Sequence, residues 1–294
     1  MFPTDGGAAM PLNQSIVRWL GVSRWPVFLR HPVIKLLLKR KRLGSFPFRV
    51  RLDELLYDGD AANLIDYHVL TRGGFEPGLD QLLADWSRYR GGQDKVFVDV
   101  GANSGLHTIQ ASRRFRQVHA FEPYPPMFEQ LCHSIRINDL GNVVAHQVAL
   151  SDAAGEVAFR PPVAGNPGTG SLVTDGHADA GEHTINVRAE TGDTYLEPFD
   201  GEICAIKIDV EGAETRVLDG LGALIRRDRP LLVFEVLQGG VNIATSFAGR
   251  LPDDYVMWLL IDIKRKRYAA VPWQGEAGDV VACGREHAGF FGRG

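Results

Sequence analysis

Four ionisable side chains crowd one short segment, Ile206-Lys207-Ile208-Asp209-Val210-Glu211-Gly212-Ala213-Glu214. Residues 203–210 read as a strand, and alternation puts Lys207 and Asp209 on one side of the pleat, with Glu211 opening the turn beyond it. Carboxylates at a strand end suit the removal of a proton from a hydroxyl, which attacks poorly unless a general base lies within hydrogen-bond reach. Asp209 is the first candidate for that base and Glu211 the second. Lys207 either serves the reaction or forms a structural ion pair with them. Glu214 is the last candidate, the alternative being a cap as an acid in the first turn of the next helix. His107 either faces an acceptor or is a satisfied or solvated histidine. Asp209, Glu211 and Glu235 could converge on an ion, but no compact ligand motif is present, so metal-free chemistry is expected.

A second constellation lies upstream. Asp99-Val100-Gly101-Ala102-Asn103-Ser104-Gly105 follows an apolar run and opens a helical stretch. Gly101 and Gly105 would let the backbone turn sharply and come close to a ligand. The spacing is G-x-x-x-G, without the third glycine of dinucleotide binders and without the Lys-Ser/Thr pair of a P-loop. The Asp99 carboxylate would repel a pyrophosphate; it suits a cationic group such as the ammonium of a methionine moiety. Glu122 ends the next strand, where an acid can accept hydrogen bonds from both hydroxyls of an adenosine ribose. Pro123 then turns the chain away from the sheet.

The elements that must position these residues alternate between strand and helix. Strands are expected at 96–100, 118–121, 143–150, 203–210 and 231–236, and helices at about 104–115 and 125–139. This pattern implies an α/β fold: a doubly wound, mainly parallel Rossmann-like sheet covered on both faces, closed by antiparallel strands at 255–263 and 279–283. Ligands of such sheets sit at the carboxyl ends of the strands, where both constellations fall. Residues 151–192 form a long connection with Gly165, Gly168, Gly170, Gly176 and Gly181, expected to be a functional or mobile loop. Three regions follow: a basic amphipathic N-terminal extension at 1–50, a helical lead-in at 51–93, and the sheet domain at 94–294. In the lead-in, Leu79, Leu82, Leu83 and Trp86 share one helical face, and Gly91-Gly92 ends the helix.

The order of these motifs resembles the FkbM-type methyltransferases, within the class I S-adenosylmethionine-dependent fold. The matching residues are Val98 to Gly105, Ala120-Phe121-Glu122-Pro123, Ala149-Leu150-Ser151-Asp152 with Gly155, Ile206 to Glu214, and Leu232-Val233-Phe234-Glu235. The resemblance covers roughly residues 75–265 and leaves out the basic N-terminus. It implies S-adenosyl-L-methionine as cofactor and O-methyl transfer, commonly to hydroxyls of sugars or polyketide-type natural products; a sugar, glycan or glycosylated natural product is the acceptor expected here. It also implies that Asp99, Gly101, Ala102, Asn103, Ser104, Gly105, Glu122 and Pro123 line the cofactor site. Ala149 and its neighbours would bracket the adenine, with Ser151 or Asp152 available to its exocyclic amine. Glu76 matches an upstream aromatic-Glu element that closes over the methionine end or caps a helix. The competing readings are a nucleotide- or NAD-dependent sugar-modifying enzyme and a non-catalytic binding module on the same sheet.

Charge and cysteine usage narrow the setting. The chain has 294 residues, 45% hydrophobic and 23% charged, with a net charge of −4, which argues against a nucleic-acid partner. Cys132, Cys204 and Cys283 form no C-x-x-C pair, and no secretory leader is visible, so a cytoplasmic location is expected. One asymmetry stands out. No Asp or Glu lies between Gly6 and Leu52, whereas Arg18, Arg24, Arg30, Lys35, Lys39, Arg40, Lys41, Arg42, Arg49 and Arg51 all do. Either Trp19, Trp25 and Phe28 pack inward and these charges are solvated, or residues 15–51 make peripheral contact with an anionic inner membrane face.

Overall fold

The computed structural model describes residues 12–23, 25, 27–37, 45–163, 169–173, 184–237, 241–263 and 267–293. Two units separate, Met1–Phe75 and Glu76–Gly294. The first contains helices α1 (Leu12–Val22) and α2 (Val27–Leu37), an antiparallel hairpin of β1 (Pro47–Leu52) and β2 (Leu55–Asp60), and helix α3 (Leu64–Arg72). The hairpin corrects the expectation of a helical lead-in from residue 51. Phe48, Val50, Leu52, Leu55 and Tyr57 are buried, and the tight turn at Asp53-Glu54 places Leu52 opposite Leu55. The apolar alternation of Phe48-Arg49-Val50-Arg51-Leu52 is a strand signal masked by its arginines, one of which pairs with Asp58 at 2.5 Å.

The second unit begins with α4 (Pro77–Arg90), whose Leu79, Leu82, Leu83 and Trp86 are all buried, as their spacing requires. The Trp86 indole Nε1–H donates to the Cys204 carbonyl at 2.7 Å, fixing the helix on the sheet. The chain then runs through β3 (Val96–Val100), α5 (Leu106–Ala111), β4 (Gln117–Phe121), α6 (Pro125–Ile137) and β5 (Val143–His146). A second sheet follows, from β6 (Ala149–Leu150), β7 (Gly155–Arg160), β8 (Ser171–Leu172) and β9 (Ile185–Glu190), in the order β6-β9-β7-β8. The main sheet resumes after α7 (Gly192–Tyr195) with β10 (Ile203–Ile208), then α8 (Glu214–Gly220), α9 (Gly222–Asp228), β11 (Leu231–Val236) and α10 (Val241–Ala248). It closes with β12 (Tyr255–Ile263), β13 (Arg267–Pro272) and β14 (Gly278–Gly284).

The eight-stranded sheet has the order β13-β12-β14-β11-β10-β3-β4-β5. The five strands β11, β10, β3, β4 and β5 are parallel, and β14, β12 and β13 are antiparallel. Strand order reverses between β3 and β10, so the crevice beyond their carboxyl ends is the topological switch point of the fold. Both constellations open there. Two expectations are corrected. The apolar run at 143–150 is two strands, because Ala149 and Leu150 leave the main sheet to pair with Ala189 and Glu190. Residues 151–192 are in part the second sheet, built on Phe159, Leu172, Val187 and Ala189; of the glycines noted there, Gly165, Gly168, Gly176 and Gly181 lie outside the described residues.

Candidate active site

The glycine loop leaves β3 under tight constraint. Gly101 has φ +80°, and a Cβ there would lie 1.8 Å from the Asp209 carbonyl oxygen; Gly105 has φ +87°, and a Cβ would lie 2.7 Å from Leu131 Cδ1. Close approach is therefore demanded by the protein's own chain, at β10 and α6, and not only by a ligand. The Gly101 and Ala102 N–H groups both donate to the Phe121 carbonyl, at 3.0 and 2.9 Å, tying the loop to the end of β4. Asn103, at φ 51°, donates its N–H to Glu122 Oε2 at 2.9 Å. The Tyr124 N–H donates to Glu122 Oε1 at the same distance. Glu122 is thus a buried carboxylate gripped by two backbone donors, and not a solvated charge. Burial pushes its pKa up to about 7 against those donors, with Asp99 and Asp209 adding to the rise.

Asp99 is fully buried. Its Oδ2 accepts the Thr108 hydroxyl at 2.6 Å, while Oδ1 has no partner among the described residues. Ser104 is buried, and its carbonyl accepts the Ser134 hydroxyl. Pro123 is half-buried at the exit of β4. Ala149 is buried in the second sheet. Ser151 is completely buried and donates its hydroxyl to Asp152 Oδ1, which also pairs with Arg216 at 2.8 Å. Both polar groups at that position are therefore engaged with protein.

At the end of β10, Lys207 Nζ lies 2.8 Å from Asp209 Oδ2. Lys207 is 4% exposed; burial disfavours its charge, but Asp209, Asp99 and Glu76 outweigh burial and hold its pKa above the usual lysine value. Glu76 precedes α4 with φ 47° and caps nothing with its side chain; it meets His107 Nε2 at 3.1 Å instead. Burial would raise the Glu76 pKa, yet His107 and Lys207 bring it below the usual carboxylate value. Glu214 accepts the N–H groups of Gly212 and Val210 at 3.0 and 3.3 Å, closing the turn before α8.

Glu211, at φ 54°, faces a crowd of like charge. Burial, Asp209 and Glu214 push its pKa up to about 7. Two further acids join it, Glu235 on β11 and Asp279 on β14, which stand opposite each other in the antiparallel register. Burial followed by neighbouring carboxylates pushes Glu235 up to about 7 and Asp279 to about 6. Asp209, Glu211 and Glu235 each offer an oxygen within 4.8 Å of the others. These are the three residues that the sequence offers as able to converge on an ion, and the fold brings them together although no compact motif links them. Asp279 carries no motif of its own, and only strand pairing brings it to the site.

Comparison with known proteins adds the family. A family model described as the methyltransferase FkbM domain matches residues 99–266, more than half of the 294-residue chain. The chain is 34% identical over 133 residues to the hexuronic acid methyltransferase AglP of Haloferax volcanii, covering 44% of this chain and 51% of that protein. It is 30% identical over 149 residues to methyltransferase 1 of Beauveria bassiana, covering 44% of this chain and 59% of that protein. It thus spans between about half and three-fifths of the length of these curated relatives. A solved FkbM methyltransferase from Methylobacillus flagellatus aligns over 92% of this chain and 58% of its own, at 14% identity and a TM-score of 0.42. With the glycine loop, the buried acid after β4 and the trio Asp209, Glu211 and Glu235 all inside the matched region, the chain belongs to the FkbM family of S-adenosylmethionine-dependent methyltransferases.

Proposed function

We propose that the chain transfers a methyl group from S-adenosylmethionine to a hydroxyl of a sugar or glycan. The observation that carries this reading is the carboxylate Asp209, anchored by buried Lys207 at the switch point beside Glu211. The residues present fit the cofactor. Asp99 Oδ1 is an orphaned buried acceptor, suited to an N–H or O–H donor, and Glu122 is a gripped carboxylate suited to ribose hydroxyls. Ala102, Asn103 and Ser104 would form the wall between them, with Ala149, Ser151 and Asp152 toward the base. When bound, the cofactor supplies a methyl group on a sulfonium centre. Transfer is an in-line displacement, so much of the rate comes from holding acceptor oxygen, methyl and sulfur in line. Lys207 holds Asp209 Oδ2, which leaves Oδ1 to take the hydroxyl proton as the new carbon–oxygen bond forms. A sugar acceptor is favoured by the hexuronic acid activity that names the Haloferax relative. Incubating enzyme and cofactor with a glycan pool should add the mass of one methyl group to one component; a pool left unchanged while another hydroxyl class is methylated would refute the sugar assignment.

Glu122→Gln should weaken S-adenosylmethionine binding about 10- to 100-fold by calorimetry, because hydrogen bonds to a charged acceptor contribute about 1.5–3 kcal/mol. The parent should also show pH dependence. Ribose hydroxyls donate to the ionised carboxylate, so affinity is full above the Glu122 pKa of about 7 and falls by up to about tenfold per pH unit below it. In the Gln variant that slope should vanish. A parent with flat affinity between pH 6 and 8 would return Glu122 to a purely structural role.

A second reading rests on the trio Asp209, Glu211 and Glu235. Oxygen ligands at this spacing suit a hard divalent cation, which would relieve their mutual repulsion and act as a Lewis acid on the acceptor oxygen. Activity that survives exhaustive chelation supports Asp209 as a metal-free base. Activity abolished by chelator and restored by magnesium selects the cation instead.

A further inference from the structure

The basic N-terminal unit contains helices that are apolar on two sides. Inward, Val17, Leu20 and Ile34 are almost completely buried. Outward, where a surface helix ordinarily carries polar groups, α1 presents Ile16 and Trp19 at 37% and 58% exposure. On α2 the outward residues Leu29, Val33 and Leu36 are 49%, 40% and 74% exposed, spaced on one helical face. Trp25, between the helices, is 52% exposed and meets Trp19 edge-on with ring centroids 6.0 Å apart. Of the two readings of this segment, the one in which Trp19 and Trp25 pack inward is not met; the Phe28 side chain lies outside the described residues.

From these residues we infer that α1 and α2 form a peripheral docking surface for an anionic lipid bilayer. Charge selects the occupant. The segment between Gly6 and Leu52 has no acid, Lys35 is exposed on α2, and Lys39-Arg40-Lys41-Arg42 follow α2 in the chain, outside the described residues. Two tryptophans with aliphatic neighbours and a basic flank match the requirements of an interfacial helix, whose apolar face enters the acyl boundary while its cations meet anionic headgroups. At 11 residues each, α1 and α2 are too short to cross a bilayer, which fits contact with one leaflet. Such a surface would hold the enzyme where a lipid-linked acceptor is presented, but it does not depend on the acceptor being a sugar.

The test uses the full 294-residue chain and sedimentation with vesicles of phosphatidylcholine alone or mixed with phosphatidylserine. Binding to the mixed vesicles only is expected, falling as salt rises because the attraction acts over a Debye length of about 8–10 Å. Trp19→Ala with Trp25→Ala and Leu36→Ala should lower vesicle partition at least tenfold while soluble methyl transfer is unchanged. Replacing Lys39, Arg40, Lys41 and Arg42 with Gln should do the same from the charge side, and decides the matter if the first variant loses its circular-dichroism signature. A parent that stays in the supernatant, or that binds neutral vesicles equally well, overturns the inference. So does a parent dimer that the triple variant dissolves without any vesicle binding, which would identify a second copy as the occupant.

Discussion

Asp209→Asn is expected to lower the methyl-transfer rate by about 10²-fold or more while leaving S-adenosylmethionine affinity largely intact. The substitution preserves size, and the Asn carbonyl oxygen still accepts from Lys207 Nζ, which lies 2.8 Å from Asp209 Oδ2 in the parent. What it removes is proton affinity. Asp99 and Glu76 still favour the buried Lys207 ammonium, although Asp209 is the largest of the charges that do so in the parent. A thermal melt run beside the rate measurement separates loss of the base from loss of fold. Single-turnover kinetics at saturating cofactor separate the chemical step from binding. Full activity in the variant would move the base to Glu211, whose own Gln variant should then show the loss.

Gly101→Ala should have the largest effect on both stability and cofactor binding. Any Cβ at φ +80° sits in a region that L residues rarely occupy, and this one would overlap the Asp209 carbonyl at 1.8 Å. Neither partner can yield cheaply. Asp209 donates its own N–H to the Val100 carbonyl at 2.9 Å, so the end of β10 is laced to the end of β3 at the point of collision. We expect destabilisation of about 3 kcal/mol or more, read from denaturant melts, together with loss of detectable cofactor binding. Gly141→Ala is the control: nothing lies within 4 Å of a Cβ there, and stability should change by no more than about 0.5 kcal/mol. A Gly101→Ala enzyme as stable as the control would mean that the loop relaxes freely and does not register Asp209 against β3.

Much of this protein is determined locally and is therefore legible in its sequence. Val96–Val100 and Leu231–Val236 are parallel strands, buried except at Glu235 and apolar except at the acids Asp99 and Glu235 near their carboxyl ends, and their limits agree with the pattern. The α4 face from Leu79 to Trp86 follows from helical spacing alone. Asp99, Gly101 and Glu122 stand at strand ends, and strand ends of a parallel sheet open on one edge, so their convergence follows from topology before any side chain is placed.

The sequence was silent where pairing partners decide the outcome. Nothing within Val143 to Leu150 distinguishes a single strand from two, because both halves are apolar and only Ala189 and Glu190 draw the second half into another sheet. The arginines of β1 hid a hairpin that becomes stable once Phe48, Val50 and Tyr57 are buried together. The acid cluster is the deepest case. Glu235 and Asp279 are 44 positions apart in sequence and become neighbours through the antiparallel register of β11 and β14; Asp209, Glu211 and Glu235 are nameable from the sequence as a trio, and Asp279 is the acid that only this pairing adds. Their raised pKa values come from burial and mutual repulsion, properties that no single segment possesses. The sequence by itself determined which residues could do chemistry; the tertiary structure decided which of them share a site, because charges interact through space and strands pair without regard to their order in the chain.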